Sequence, residues 1–177
     1  MRHMPPLIAI AGKARTGKNT LADFIEAQYG GYQYSFAAPI KRMLKAGLNI
    51  DMEDPFWSER KEQVIPAVGR SPRELMQTLG TEWGRQLVHP DVWVTLAADV
   101  LRKRGPGMII ADMRFENEAA WVRKLGGTVI HIQRESAAAV NPHKSEDGVI
   151  KHPSDIEFFN NGSLEAMQYA VSKLFGT

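Results

Sequence analysis

The sequence predicts an α/β domain of three layers, α/β/α, built on a mostly parallel sheet of about five strands. Two observations carry this. Leu7–Ala11 and Met108–Ala111 are continuous apolar runs, as expected of strands covered on both faces. Between and after such runs lie stretches with apolar residues at helical spacing, closed by glycine or Gly-Pro stops. Strands alternating with helices imply right-handed crossovers between parallel strands.

In order, Leu7–Ala11 is the first strand. A helix follows from Lys18 to Tyr29 with Leu21, Phe24, Ile25 and Tyr29 on one face and Gly30-Gly31 as the stop. Tyr32–Phe36 reads as a second strand, and Pro39 opens a short helix on which Ile40, Met43 and Leu44 align. From about Asp51 to Gly69, mixed charge with Pro55 and Pro66 predicts an irregular excursion. Ser71-Pro72-Arg73-Glu74 has the form of a capping box, starting a helix through Leu75 and Leu79. Asp91 is placed to cap a helix whose stripe is Trp93, Leu96, Ala97, Val100 and Leu101, stopped by Gly105-Pro106. A third strand at Met108–Ala111, a helix near Asn117–Leu125, a fourth strand at Thr128–Gln133 and a fifth at Ile156–Phe159 follow. Ser163 caps a last helix bearing Leu164, Met167, Val171, Leu174 and Phe175. The whole is read as one domain, 1–177, with an excursion over about 36–90 and a lid-like loop over about 135–155.

The bulk composition restricts the function classes. The 177 residues are 44% hydrophobic and 24% charged, which suits a globular chain. Cysteine is absent, which removes disulfides, thiolate metal sites and cysteine nucleophiles. The formal charge is only +2, with no basic arm, so no stable nucleic-acid binding is expected. The apolar run near the start is too short for a membrane span, so a soluble cytoplasmic protein without membrane contact is expected. His143 and His152 lack the ligand spacing of a zinc site.

The chemistry concentrates at Gly12-Lys13-Ala14-Arg15-Thr16-Gly17-Lys18-Asn19-Thr20. Glycine, four residues, glycine and lysine between a buried strand and an amphipathic helix form a phosphate loop. Backbone N–H groups surround an anion at a helix start, and Lys18 neutralises the β- and γ-phosphates. Asn19 stands where a magnesium-ligating hydroxyl usually sits; it offers a carbonyl oxygen to the metal, directly or through water. Thr20, one place on, is better set to cap phosphate oxygens.

Ligands in such sheets sit beyond the carboxyl ends of the strands. Asp112 and Arg114 follow the third strand: the acid suits a metal's water shell or a substrate hydrogen bond, and the arginine a bidentate phosphate clamp. A structural Asp–Arg pair is the alternative. Lys41 stands near a helix start, where the dipole disfavours a cation unless an anion binds there, although a solvated lysine is equally ordinary. Arg134 follows the fourth strand and leads into the loop containing His143, Lys144, Ser145 and Glu146. A loop this long suits a lid that excludes water. Arg73 and Gln77 sit one helical turn apart, and with Trp93 they make a set able to read a base by hydrogen bonding and stacking. Core packing is the equal alternative for Trp93.

Read together, these segments resemble the phage-type deoxynucleoside monophosphate kinases, a branch of the P-loop nucleoside monophosphate kinases related to adenylate kinase. The resemblance runs in order through Gly12–Asp23, Phe36–Lys41, Arg73–Thr81, Asp91–Val94, Ile110–Arg114, Gly126–Arg134, His143–Glu146 and Asn160–Leu164, with 51–69 the poorest match. It implies the P-loop NTPase fold and transfer of the γ-phosphoryl group of ATP, with Mg²⁺, to the 5′-phosphate of a deoxynucleoside monophosphate. By the same resemblance Lys13 to Thr20 hold ATP. Ile40, Lys41, Arg73, Gly80, Thr81, Trp93 and Asp112 contact the acceptor. Arg114 and Arg134 stabilise the transferring phosphoryl group, and Asn161 and Gly162 lie where the adenine passes. Asn19 and Asp112 are the metal candidates. A homodimer, and the host cytoplasm if the chain is phage-encoded, are further implications.

Two other readings remain open on sequence alone. A P-loop kinase with a hydroxyl acceptor would recruit Asp112 as a base. A non-catalytic or nucleic-acid-associated P-loop NTPase would hydrolyse slowly and bind DNA, against which the near-neutral charge counts.

Overall fold

The structure, a computed structural model, describes residues 5–135 and 148–175; the histidine-containing stretch His143–Glu146 lies outside them. The chain divides into two compact units, Met1–Ser35 with Ala97–Thr177, and Phe36–Leu96.

The first unit contains a five-stranded sheet of β1 (Leu7–Ala11), β2 (Tyr32–Tyr34), β3 (Met108–Ile110), β4 (Thr128–Gln133) and β5 (Ile156–Phe159). The order is β2-β3-β1-β4-β5 and every pair is parallel. All five residues of β1 are buried, as its unbroken apolar run requires. Side chains alternate across a strand, so Ile8 and Ile10 share one face with Ile109, Ile130 and Ile132. On that face they meet Leu21, Ala22 and Ile25 of α1 (Lys18–Tyr29) and Met167 and Val171 of α7 (Leu164–Leu174). The Tyr29 hydroxyl donates to the Val171 carbonyl at 2.8 Å, joining the two helices. α6 (Glu116–Lys124) packs on β1 and β4 but adds no side chain to this cluster, so it covers the opposite face. Because β2 and β4 lie on opposite sides of β1, the strand order reverses at the carboxyl end of β1, where an open sheet leaves a crevice.

The second unit opens with α2 (Ala38–Leu48), longer than expected and ended by Asn49 in the left-handed region, φ 56°. The excursion expected to be irregular contains a one-turn helix, α3 (Pro55–Glu59), capped by the Asp54 carboxylate accepting from Phe56 N–H at 2.8 Å. The capping box on α4 (Pro72–Gln77) forms as predicted, with Ser71 Oγ accepting from Glu74 N–H and Glu74 Oε2 from Ser71 N–H.

Two expectations are corrected. The helix from Ser71 does not keep its regular turn through Leu79 but goes over to wide π-type turns at Thr78–Val88, and His89 N–H closes on Gly84 O five residues back. The cause lies at Gly80, whose carbonyl accepts the Trp93 indole N–H at 2.8 Å and Arg85 Nη1 at 3.0 Å. Side-chain donors at a helix carbonyl compete with the four-residue ladder and widen the turn. On α5 (Val92–Arg104), Leu96 is 41% exposed rather than part of the stripe. Val94 is buried beside Trp93 and Ala97, which at about 100° per residue turns the buried face away from Leu96. No helix among the described residues is long and apolar enough to cross a membrane.

A polar cluster ties α6, β4 and β5 together. The Asp155 side chain, 1% exposed, accepts from Arg123 Nε at 3.1 Å and Nη2 at 2.7 Å, from His152 N–H at 2.9 Å, and lies 2.9 Å from His131 Nε2. Burial pushes its carboxyl up, but the Arg123 fork, the His152 amide and His131 outweigh it and hold it at about 2.

A folded-state value below the ordinary 3.8 gives stability that is complete above that value and is lost as pH falls toward 2. Asp155→Asn is expected to lower stability at neutral pH by on the order of 2 kcal/mol. Urea titrations between pH 7 and 2 should show the gap to wild type closing as pH falls. A gap independent of pH would contradict this account. Gly84→Ala places a Cβ 2.4 Å from Trp93 Cζ2 and 2.9 Å from the Leu79 carbonyl. The overpacking should cost about 1–3 kcal/mol, read as a lower unfolding midpoint; an unchanged midpoint would show that Trp93 yields freely.

Candidate active site

The loop Gly12–Gly17 leaves the carboxyl end of β1 at the reversal of strand order and enters α1. Its shape is dictated by what surrounds it. A Cβ on Gly12 would stand 2.5 Å from the Ile132 carbonyl of β4, so only glycine lets the loop lie against that strand. Gly17, φ 97°, is the N-cap of α1 and would meet Asn160 Nδ2 at 2.6 Å. Arg15, with φ 64°, holds a left-handed conformation that usually costs a residue bearing a Cβ about 1 kcal/mol or more. Such strain persists only where neighbours over-determine it, and here they do. The Asn160 amide donates to the Thr16 carbonyl at 2.8 Å, and the buried Thr16 hydroxyl donates to the Lys13 carbonyl at 2.9 Å.

No side chain caps α1, and its first turn carries no acid. The backbone N–H groups and the positive end of the helix dipole therefore face the loop without a competing carboxylate. Lys18 bends back over the loop and donates to the Gly12 and Lys13 carbonyls, both at 2.7 Å. Asn19 is exposed in the same turn and Thr20 is half-buried.

The neighbouring strand ends are braced in similar ways. The Ser35 hydroxyl, just past β2, donates to Asp112 Oδ2 at 2.6 Å, just past β3. Glu118, 1% exposed at the start of α6, accepts Arg114 N–H at 2.8 Å and Phe115 N–H at 3.1 Å through Oε2. This buried carboxylate fixes the backbone carrying Arg114. The turn after β5 is held by Asn160 N–H on the Gln133 carbonyl and by Asn161 Oδ1 accepting Glu135 N–H at 3.0 Å. Gly162 packs beside Ala166 at the start of α7.

These elements enclose a cavity of about 500 Å³. Gly12, Lys13 and Thr16 form one wall, Arg114 and Arg134 reach it from β3 and β4, and Asn161 lines it from the last turn. The structure thus brings Gly12, Lys13 and Thr16 of the predicted loop together with both predicted arginines and Asn161, while Ala14, Arg15, Gly17, Lys18, Asn19 and Thr20 are not among the lining residues. His131, Phe159, Gly148 and Val149 also line it, none of which was singled out from the sequence.

The residues expected to meet an acceptor lie in the second unit, apart from Asp112 and Arg114. Ile40 is buried, and its Cδ1 lies 3.0 Å from where a Gly80 Cβ would stand. Trp93 is 2% exposed with its indole N–H on Gly80 O, so the structure gives it an interior position. Lys41 pairs with Glu53 at 2.7 Å, and Arg73 Nε with Glu62. Gln77 and Thr81 are half-buried along the same helical segment. The functional candidates that sequence reasoning missed are the braces: Ser35, Glu118 and Asn160. The signals were present in part, since Glu118 stands three residues past a helix boundary and Asn160 begins the asparagine-rich turn. The partners of Ser35 and Asn160, however, lie 77 and 144 positions away in sequence, whereas those of Glu118 are local.

Among the described residues no group of three or more His, Asp or Glu is placed to hold a metal ion. The donors predicted from the sequence are the carboxylate of Asp112 and the amide oxygen of Asn19, neither of which lines the cavity. Hard oxygen donors in this small number suit magnesium, which keeps most of its water and leans on phosphate oxygens.

Comparison with known proteins agrees with this geometry. The family profile described as Deoxynucleotide monophosphate kinase matches residues 6–65 and 64–171. The deoxynucleotide monophosphate kinase of Enterobacteria phage T4 is 27% identical to this chain, over 91% of it and 95% of that protein. The deoxynucleoside-5′-monophosphate kinase of Escherichia phage T5 is 34% identical over 66% of this chain and 52% of its own length. In fold, the chain is similar to dephospho-CoA kinase from Campylobacter jejuni, with a TM-score of 0.52 over 97% of this chain and 96% of that one at 13% identity. A glycine-rich loop at the sheet's reversal point, two arginines sharing its cavity, and a family match over most of the chain converge: the chain belongs to the deoxynucleotide monophosphate kinase family and is a nucleotide kinase.

Proposed function

We propose that this chain transfers the γ-phosphoryl group of ATP to the 5′-phosphate of a deoxynucleoside monophosphate, giving the diphosphate and ADP. The observation that carries the reading is the cavity where Gly12, Lys13 and Thr16 meet Arg114 and Arg134. Loop amides from Lys13 to Thr20 bind the triphosphate, and Lys18 exchanges its two carbonyl partners for the β- and γ-phosphate oxygens. Asn161 and Gly162 border the adenine. Arg114 and Arg134 stabilise charge on the transferring phosphoryl group, each presenting a planar fork.

By the family resemblance, the acceptor residues are Ile40, Lys41, Arg73, Gln77, Gly80, Thr81, Trp93, Asp112 and Arg114. Trp93 acts there by fixing the Gly80 carbonyl from behind. The attacking phosphate oxygen is already ionised, so no general base is needed and catalysis rests on position and charge. Magnesium, held by Asn19 and Asp112 through water, would neutralise charge on the β- and γ-oxygens.

Lys18→Ala should lower kcat by roughly 10²–10³-fold with the fold intact by circular dichroism. A coupled ADP-release assay over all dNMPs and NMPs checks this and the acceptor class together. Near-normal turnover in the variant would remove the loop as the ATP site, and turnover confined to hydroxyl acceptors would overturn the reading. Arg73→Ala should raise KM for the monophosphate by about tenfold, equal to 1.4 kcal/mol, with KM for ATP unchanged. An equal rise for both substrates in steady-state kinetics would take Arg73 out of the acceptor site.

A further inference from the structure

Resting on the ATP reading of the cavity, we infer that Arg123 and Asp155 are positioning residues that hold the Gly148–Val149 wall of that cavity through the backbone of Ile150. Neither residue lines the cavity. Arg123 projects from α6 and places its guanidinium among three acceptors: Asp155 through Nε and Nη2, Glu116 Oε1 through Nη1 at 2.7 Å, and the Ile150 carbonyl through Nη2 at 2.9 Å. Glu116 closes the arrangement, since its Oε2 accepts Ile150 N–H at 3.1 Å. Both backbone groups of Ile150 are therefore held by α6.

At Ile150 nothing apolar substitutes for this hold. The Ile150 side chain is 77% exposed, so the chain leading to Gly148 and Val149 is not anchored by burial. Asp155 meets the same cavity from a second direction, because its Oδ2 lies 2.9 Å from His131 Nε2 and His131 is itself a lining residue. The carboxyl, held at about 2, remains ionised throughout the neutral range and keeps the Arg123 fork in place. A planar five-donor fork is what three acceptors in different directions require, and a lysine ammonium cannot match it. Small displacements of a wall against a bound triphosphate are costly, since an error of about 1 Å in position can change a rate a hundredfold.

The test uses the full chain carrying Arg123→Ala, Arg123→Lys or Glu116→Gln, with ATP titrated by calorimetry and KM measured for ATP and for the monophosphate. Arg123→Ala should raise Kd and KM for ATP by roughly ten- to a hundredfold while KM for the monophosphate stays at its wild-type value. Arg123→Lys should fail to restore the loss, and Glu116→Gln should move ATP affinity in the same direction by less. Should Arg123→Ala not fold, Glu116→Gln carries the test, because it leaves the Arg123–Asp155 fork intact. Wild-type ATP affinity in a folded variant, or equal losses for both substrates, overturns the inference. Amide hydrogen exchange at 148–152 reads the clamp without nucleotide: it should accelerate in Arg123→Ala, and unchanged exchange overturns the clamp. A wild-type chain that binds no ATP overturns the functional reading instead.

Discussion

The bond from the Asn160 amide to the Thr16 carbonyl is the contact on which the rest of the site depends. A phosphate loop must turn its N–H groups toward the anion, which leaves its carbonyls pointing into the protein, where an unmet acceptor costs roughly 1–3 kcal/mol. Asn160 meets one of them, Thr16 and Lys18 meet others, and Gly12 and Gly17 let the loop approach closely enough for it to happen. Asn160 arrives there only because β5 lies beyond β4, and β4 pairs with β1. The sheet order is therefore a requirement of the loop as much as a frame for it.

The same logic separates two kinds of cation. Arg114 and Arg134 stand on strand ends whose backbone is braced by Glu118 and by the Asn161–Glu135 contact. Their backbone is held in place by those bonds, which the proposed charge-stabilising role requires. Lys41 and Arg73 instead hold Glu53 and Glu62, acids that are more than half exposed and belong to the excursion. Exposed pairs of this kind contribute at most about 1 kcal/mol. In the proposed function, a dianionic acceptor phosphate displaces them at small cost, and the acids keep the cations extended until then.

How much of this was legible in the sequence follows from the range of the interactions. The β1 run, the glycine–lysine spacing, the capping box at Ser71 and the strand ends carrying Asp112 and Arg114 are local, and each stands where the pattern put it. The π-type turns over 78–88 were not legible, because they arise from Trp93 reaching back thirteen residues to the Gly80 carbonyl. The exposure of Leu96 was misjudged for a related reason: spacing gives a stripe, but only packing decides where its centre falls. Ser35, Asn160 and the Arg123–Asp155 pair are polar residues whose partners lie 32 to 144 positions away, and no local pattern distinguishes them from solvated side chains; Glu118, whose partners are three and four residues back, was within reach of a local reading.

Asn19 is the residue whose meaning changes most once the surroundings are known. In the usual loop a hydroxyl after the lysine binds the metal and thereby ties it to the protein. An amide carbonyl at that place is a longer and weaker arm, so in the proposed function the protein's contact with magnesium would fall to the strand end. Asp112 is prepared for that burden, because the Ser35 hydroxyl at 2.6 Å fixes its carboxylate from the neighbouring strand. In the proposed function, the departure from the common motif at position 19 and the hydrogen bond at position 35 are thus parts of one arrangement, in which the loop would hold phosphate and the adjacent strands the metal's water.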